Sequence, residues 1–194
     1  SSAASDVYKR QIRNSLIVSA CSAALSVYFS ALTAYGIYAY NFKFKKAAFA
    51  IILLIMTMPT QVSALGFLQL ITKMGLKNSF IPLIVPSIAA PAVFFFMKQY
   101  LDASLPMEIV EAARMDGAGP MRFFFTILMP LSLTNIAAMF VIQFIYGWNQ
   151  YLWPLLVTTS EDMYPIVIGI KRMIGGGDSA NEWNLIMATA MLAV

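Results

Sequence analysis

The sequence predicts an all-α integral membrane protein, a polytopic helical bundle. Two observations carry that reading. Of the 194 residues 60% are hydrophobic and only 11% are charged, where soluble domains carry about 25% charged residues; the mean hydropathy is +0.73. Stretches without charge also recur at the length a bilayer-crossing helix needs, about 20 mostly apolar residues. A third observation concerns function: a charged island interrupts the apolar runs midway along the chain.

Residues 1–13 are small and polar, unlike the apolar stretch after them, and are expected to be a non-native or disordered leader outside the fold. Residues 14–40 hold no charge and supply the first span. Residues 47–72 supply a second, interrupted by Pro59 and Gln61. Residues 78–97 supply a third, with Pro82, Pro86 and Pro91 predicting a kinked or irregular helix. Residues 123–160 are free of charge but too long for one straight span, and Pro130 divides them. Ser132, Thr134 and Asn135 offer helix-start chemistry just after that proline, which places a fourth span at 133–156. Residues 185–194 read as an incomplete fifth span. The chain starts without Met and stops inside an apolar run, so it is expected to be a fragment truncated at both ends.

Charge sets the expected orientation. Lys43, Lys45, Lys46, Lys98, Arg114 and Arg122 fall on one side, six cations in all. Arg13, Lys73, Lys77, Lys171 and Arg172 fall on the other, giving five. The dense lysine turn at 43–46 tips the charged island towards the cytoplasm under the positive-inside rule.

The island holds Lys98, Asp102, Glu108, Glu111, Arg114, Asp116 and Arg122. Each would cost about 3 kcal/mol at a bilayer centre, so about 20 kcal/mol together drives residues 98–130 into water as a loop between spans. Ser104, Leu105 and Pro106 read as a helix start, with Glu108 and Glu111 in the first turns, where acidic side chains suit the dipole. Glu108, Glu111 and Arg114, three apart, share one face. Gly117 can adopt a left-handed conformation and end the helix, and Gly119 and Pro120 permit a second short one at 121–126. Ala112 and Ala113 have almost no side chain, so a partner's groove can approach their backbone, with Glu111 and Asp116 fixing orientation. The alternative from physics alone is an amphipathic helix resting on the membrane surface.

These residues carry a resemblance. Glu111, Ala112, Ala113, then Gly117, then Ile127 and Pro130 resemble the E-A-A, G, I-x-L-P signature of ABC importer permeases, with Met129 in place of the usual leucine. The pattern resembles most the carbohydrate-uptake branch and the maltose importer's smaller membrane subunit. F-I-Y-G-W-N-Q-Y-L-W-P-L-L from Phe144 to Leu156, N-E-W-N from Asn181 to Asn184 and Met58 to Val62 are similar to the glycerol-3-phosphate importer's second permease. The resemblance implies a five-helix core, with a further span upstream. It implies a cytoplasmic coupling helix that seats in a cleft of an ABC ATPase dimer. A second permease subunit and a periplasmic or lipid-anchored solute-binding protein complete the implied partners.

Exclusions narrow the chemistry. The single Cys21 permits no intrachain disulfide, and the absence of histidine removes imidazole ligands, bases and relays. No catalytic residue, metal or cofactor is expected. The sequence has no G-x-x-x-x-G-K-[ST] phosphate cradle, so a partner must hydrolyse any ATP. The proposed spans hold no ionisable Asp, Glu, Lys or Arg, which counts against a proton-coupled carrier. The net charge of +4 sits beside spans and does not imply nucleic acid.

Trp148, Asn149, Gln150, Tyr151 and Trp153 admit two readings, a pathway contact for a sugar or polyol phosphate or an interfacial aromatic belt with amides bonded between helices. Gln61, Asn135 and Gln143 are expected to bond between helices. The resulting expectation is an importer permease for glycerol-3-phosphate or a related sugar or polyol. The alternative is a secondary carrier or channel acting without an ATPase.

Overall fold

The computed structural model describes residues 2–76, 79–150, 165, 187, 188, 190 and 191. Within them every regular element is helical. The long ones are α1 (Ser2–Ala39), α2 (Lys45–Ile55), α3 (Thr60–Met74), α5 (Pro91–Ser104), α6 (Met107–Met115) and α9 (Leu133–Trp148). Shorter are α4 (Ile81–Ile84) with a 3-10 turn at Val85–Ile88, α7 (Pro120–Phe123), a π-helical segment at Phe124–Leu128 and α8 (Met129–Leu131). Residues 151–156 of the expected fourth span, and most of the expected fifth, lie outside the described residues.

Two helices are long and apolar enough to cross a membrane, Ser5–Ala39 and Ile81–Ser104. The pair Pro120–Leu131 and Leu133–Trp148, bent by 83° between its halves, meets the same length and composition only when its two halves are taken together, as a broken span or a re-entrant loop. The first turns of α1 run through residues 2–13, expected as a leader apart from the fold, and Gln11 is buried there. The interval 47–72 is not one helix. Pro59 closes a break at 56–59, where turn bonds tighten from Thr57 to Leu54 and from Met58 to Ile55. The 11 residues of α2 rise only about 16 Å, about half of a ~30 Å hydrocarbon core. The third interval is irregular around Pro86 and then stays helical to Ser104, so Lys98 and Asp102 belong to the last turns of α5 rather than to a loop. They pair at 2.6 Å, and Lys98 also lies over the Phe49 ring at 5.7 Å.

The chain divides into two compact units. One comprises Ser1–Ser22, Thr60–Pro86 and Phe144–Val194. Within it Val18 and Leu83 are buried, with Leu68 and Phe80 against them. Gly147 is also buried there, because a side chain has no room: a Cβ at that position would stand 3.2 Å from the Cα of Ser19. The close approach lets two helix backbones nearly touch, the packing that membrane helices favour.

The other unit comprises Ala23–Pro59 and Ser87–Gln143 and holds the larger core. Phe124, Met97, Leu101, Leu128 and Val110 are its largest fully buried apolar side chains. Two of the expected amides bond between helices here. Asn135 Nδ2 donates to Met97 Sδ at 2.9 Å, and Gln143 Nε2 donates to Ser26 Oγ at 3.4 Å. The side chain of Gln61, the third, lies outside the described ones.

The close approach at Gly147 is testable. Gly147→Val must push into backbone, an overpacking cost of about 1–3 kcal/mol, and is expected to lower the thermal unfolding midpoint of the detergent-solubilised full-length protein. Gly36→Ala, inside α1 where nothing lies within 4 Å, is expected to hold or raise it.

Candidate functional site

The charged segment between α5 and α9 builds a short, well-anchored projection. Leu105 stays in the core and its N–H bonds the carbonyl of Leu101 at 3.0 Å, completing α5. Pro106 is extended, with φ −64° and ψ 137°, and turns the chain into α6. Ser104 does not cap that helix, which starts at Met107; it ends α5 instead. Glu108 occupies the first turn of α6 and Arg114 the last, each suited to the local end of the dipole.

Gly117 closes α6. Its φ is +82°, a conformation only glycine adopts without cost. Ala118 N–H bonds the carbonyl of Ala113 at 2.9 Å, and Gly117 N–H bonds that of Arg114 at 3.0 Å. This is the paired 6→1 and 5→2 arrangement of a Schellman cap, and half-buried Ala118 adds its apolar contact. Gly119 is then extended, and Pro120 opens α7 with its φ already suited to a helix.

α6 has two unlike sides. Val110 and Ala113 are buried in the core formed with Met97, Leu101, Phe123, Phe124 and Leu128. Glu108, Glu111, Ala112, Met115 and Asp116 face outward. The expectation that both alanines meet a partner therefore divides. Ala112 is exposed, whereas Ala113 is 7% exposed and packs against the chain's own core. A helix resting on a membrane surface would bury its apolar side in lipid; here protein covers it.

Met115 joins this outward side, although no motif in the sequence marks it. It is 89% exposed, the most open apolar side chain on α6. The signal available in the sequence is an isolated large apolar residue between Arg114 and Asp116. Flexible, polarisable Met suits a surface that another protein covers.

Arg114 turns away from the glutamates. Its Nη2 donates to the carbonyl of Ala39 at 2.6 Å, and its guanidinium lies 4.7 Å from the centre of the Tyr40 ring. The Tyr38 hydroxyl donates to the carbonyl of Leu105. The end of α1 thus meets the end of α5 and the last turn of α6, which puts the lysine turn after α1 and the charged island at the same end of this unit.

Ile127 is half-buried against the core and Pro130 is exposed. Pro130 has no N–H to give the carbonyl of Thr126, and its ring crowds that oxygen. The preceding turn widens into the π segment Phe124–Leu128. The sharp bend comes two residues later, at Ser132, and the Tyr100 hydroxyl donates to the carbonyl of Leu131 beside it at 3.3 Å.

The polar-aromatic cluster is only partly described. Tyr151 and Trp153 lie outside the described residues, as do Asn181 to Asn184. Trp148 stacks on Phe144 with centroids 6.0 Å apart, and Asn149 Nδ2 donates to the carbonyl of Ile145 at 2.9 Å. Asn149 therefore serves its own helix end, and Gln150 follows half-buried beyond it. A recess in the larger unit, walled by Ala24, Val27, Tyr28, Ala31, Met129, Ile136 and Phe140, is apolar and unsuited to a phosphate.

Residues 26–194 match the family described as the binding-protein-dependent transport system inner membrane component. The chain belongs to that family. It is a multi-pass inner-membrane component. It is similar to the sn-glycerol-3-phosphate transport system permease protein UgpE of Agrobacterium fabrum, 42% identical over 186 residues, covering 96% of this chain and 66% of the relative. It is 40% identical over 181 residues to the protein of that name in Pectobacterium atrosepticum, covering 93% of this chain and 64% of the relative. The chain thus spans about two thirds, 64–66%, of these curated relatives. In fold it resembles a chain of a bacterial ABC transporter involved in import of the acidic polysaccharide alginate, with TM-score 0.79, 20% identity and coverage of 94% of this chain and 64% of that one.

The Schellman cap yields a graded expectation. Gly117→Val places a β-branched residue at positive φ at a cost above the 1–2 kcal/mol of an ordinary side chain. On the coupling reading proposed below, the full-length variant is expected to insert normally and to lose ATP-driven uptake. Gly117→Asn, which tolerates that conformation, should retain most of it. Membrane fractionation with a vesicle uptake assay reads both.

Proposed function

We propose that this chain is a permease subunit of an ATP-driven ABC importer that carries glycerol-3-phosphate or a related sugar or polyol, and that residues 104–130 couple it to the ATPase. One observation carries the coupling reading: α6 is held from inside by Val110 and Ala113 and offers Glu111, Ala112, Met115 and Asp116 outward. A helix fixed on one side and bare on the other transmits force from whatever covers it. Ala112 lets a partner approach the backbone, Met115 offers it apolar area, and Glu111 with Asp116 set its orientation. Gly117, Ile127 and Pro130 shape the turn and the helical return behind that face.

The cargo reading rests on relatives about 40% identical that are named for sn-glycerol-3-phosphate transport. On this reading the lysine turn and α6 face the cytoplasm. An ATPase dimer closes on two permease subunits, and a periplasmic or lipid-anchored solute-binding protein delivers cargo to the other side. Trp148 closes α9, where a pathway or an aromatic belt would use it.

A carrier or channel acting alone predicts transport in vesicles without ATP or partners. Co-purification with the full-length permease separates the two. Glu111→Lys combined with Met115→Asp is expected to reduce retained ATPase subunit at least about tenfold, the size of effect hot-spot residues give. Retention equal to wild type overturns the docking reading. Titration of the partner solute-binding protein with glycerol-3-phosphate and with free sugars tests the cargo.

A further inference from the structure

The last turn of α1 is tied to the end of α5 and to the last turn of α6. At the end of α5, the Tyr38 hydroxyl donates to the Leu105 carbonyl, just before the turn into α6. In the last turn of α6, Arg114 reaches the Ala39 carbonyl at 2.6 Å. Ala39 is the final residue of α1, where carbonyls have no helical partner and the dipole is negative. The same guanidinium stacks over Tyr40 at 4.7 Å. Tyr40 meets Tyr35 edge-on at 5.8 Å, and Tyr35 stacks on Phe123 of α7 at 5.4 Å and 19°. One cation therefore links the outward-facing helix, the end of a membrane span and the return helix.

We infer that Arg114 is a positioning residue that conveys displacement of α6 to α1, so that docking and transport are separable at this side chain. The inference rests on the docking reading above. Its chemistry is specific to arginine. A planar guanidinium donates to a carbonyl and stacks on a ring together, which the compact ammonium of lysine does less well. Arg114 is itself exposed, but its guanidinium is engaged by Ala39 and Tyr40, so its loss leaves Glu111, Ala112, Met115 and Asp116 in place on the docking surface. What it removes is the connection behind that surface.

The test uses the full-length permease with its partner subunits in vesicles. Arg114→Gln is expected to retain ATPase subunit at the wild-type level and to hydrolyse ATP, while cargo moved per ATP falls about tenfold, within the usual range of coupling between sites. Arg114→Lys should fall between. Tyr40→Leu, which removes the ring from the α1 side, should uncouple similarly, and the double variant should be little worse than either, since both break one tie. If Arg114→Gln fails to accumulate, Arg114→Lys and Tyr40→Leu carry the same test. Unchanged cargo per ATP in these variants overturns the inference, and so does loss of the ATPase subunit from them, which would make Arg114 part of the docking surface. Failure of the wild-type permease to retain any ATPase subunit sinks the docking reading instead.

Discussion

The burial of one side of α6 is the interaction on which the rest depends. Val110 and Ala113 enter a core shared with Met97 and Leu101 from α5 and Phe124 and Leu128 from the π segment. Burying a valine side chain alone contributes about 1.5 kcal/mol or more. Nine residues make a helix too short to persist by itself in water. Packing therefore holds α6 in shape, and its outward residues are presented on a rigid base. Without that base the acidic and apolar groups of this segment would be a mobile charged loop.

Backbone chemistry then decides where the segment turns. Gly117 ends α6 with two paired bonds, at a φ that other residues reach only with strain. Pro130 denies a carbonyl its partner, and the chain answers with a wider helical turn and then a bend at Ser132. Ser132 is itself buried, and its carbonyl starts the next helix through the Ile136 N–H at 2.9 Å. Between these two points the chain returns from the projection into the span of α9. The return from α6 is therefore bounded by one glycine and one proline, and its length is set by their separation.

Several of these features were legible in the residues. The glycine turn at Gly117, the division by Pro130 and the interhelical use of Asn135 and Gln143 all arise from local chemistry: φ preference, a missing donor, and amides without water. The split of 47–72 into α2 and α3 was half legible, since Pro59 was recognised as an interruption but not as the end of a helix. The extension of α5 to Ser104 was not legible. Charge marked Lys98 and Asp102 as soluble, yet an ion pair one turn apart and a ring beneath the lysine let them remain helical at the end of a span.

By itself the sequence determined the class: too few charges for a soluble domain, apolar runs of spanning length, and one charged island that lipid would not accept. It also determined the punctuation, because glycine and proline act through their own backbones. Only the tertiary structure decided which side of α6 faces inward. Ala112 and Ala113 are chemically identical, and nothing local distinguishes the one that is buried from the one that is open. Nor does spacing reveal that Arg114 leaves its acidic neighbours for Ala39 and Tyr40, 75 residues away from the first of these in the chain. Burial and long-range pairing depend on what lies opposite, and that is settled only when distant segments meet.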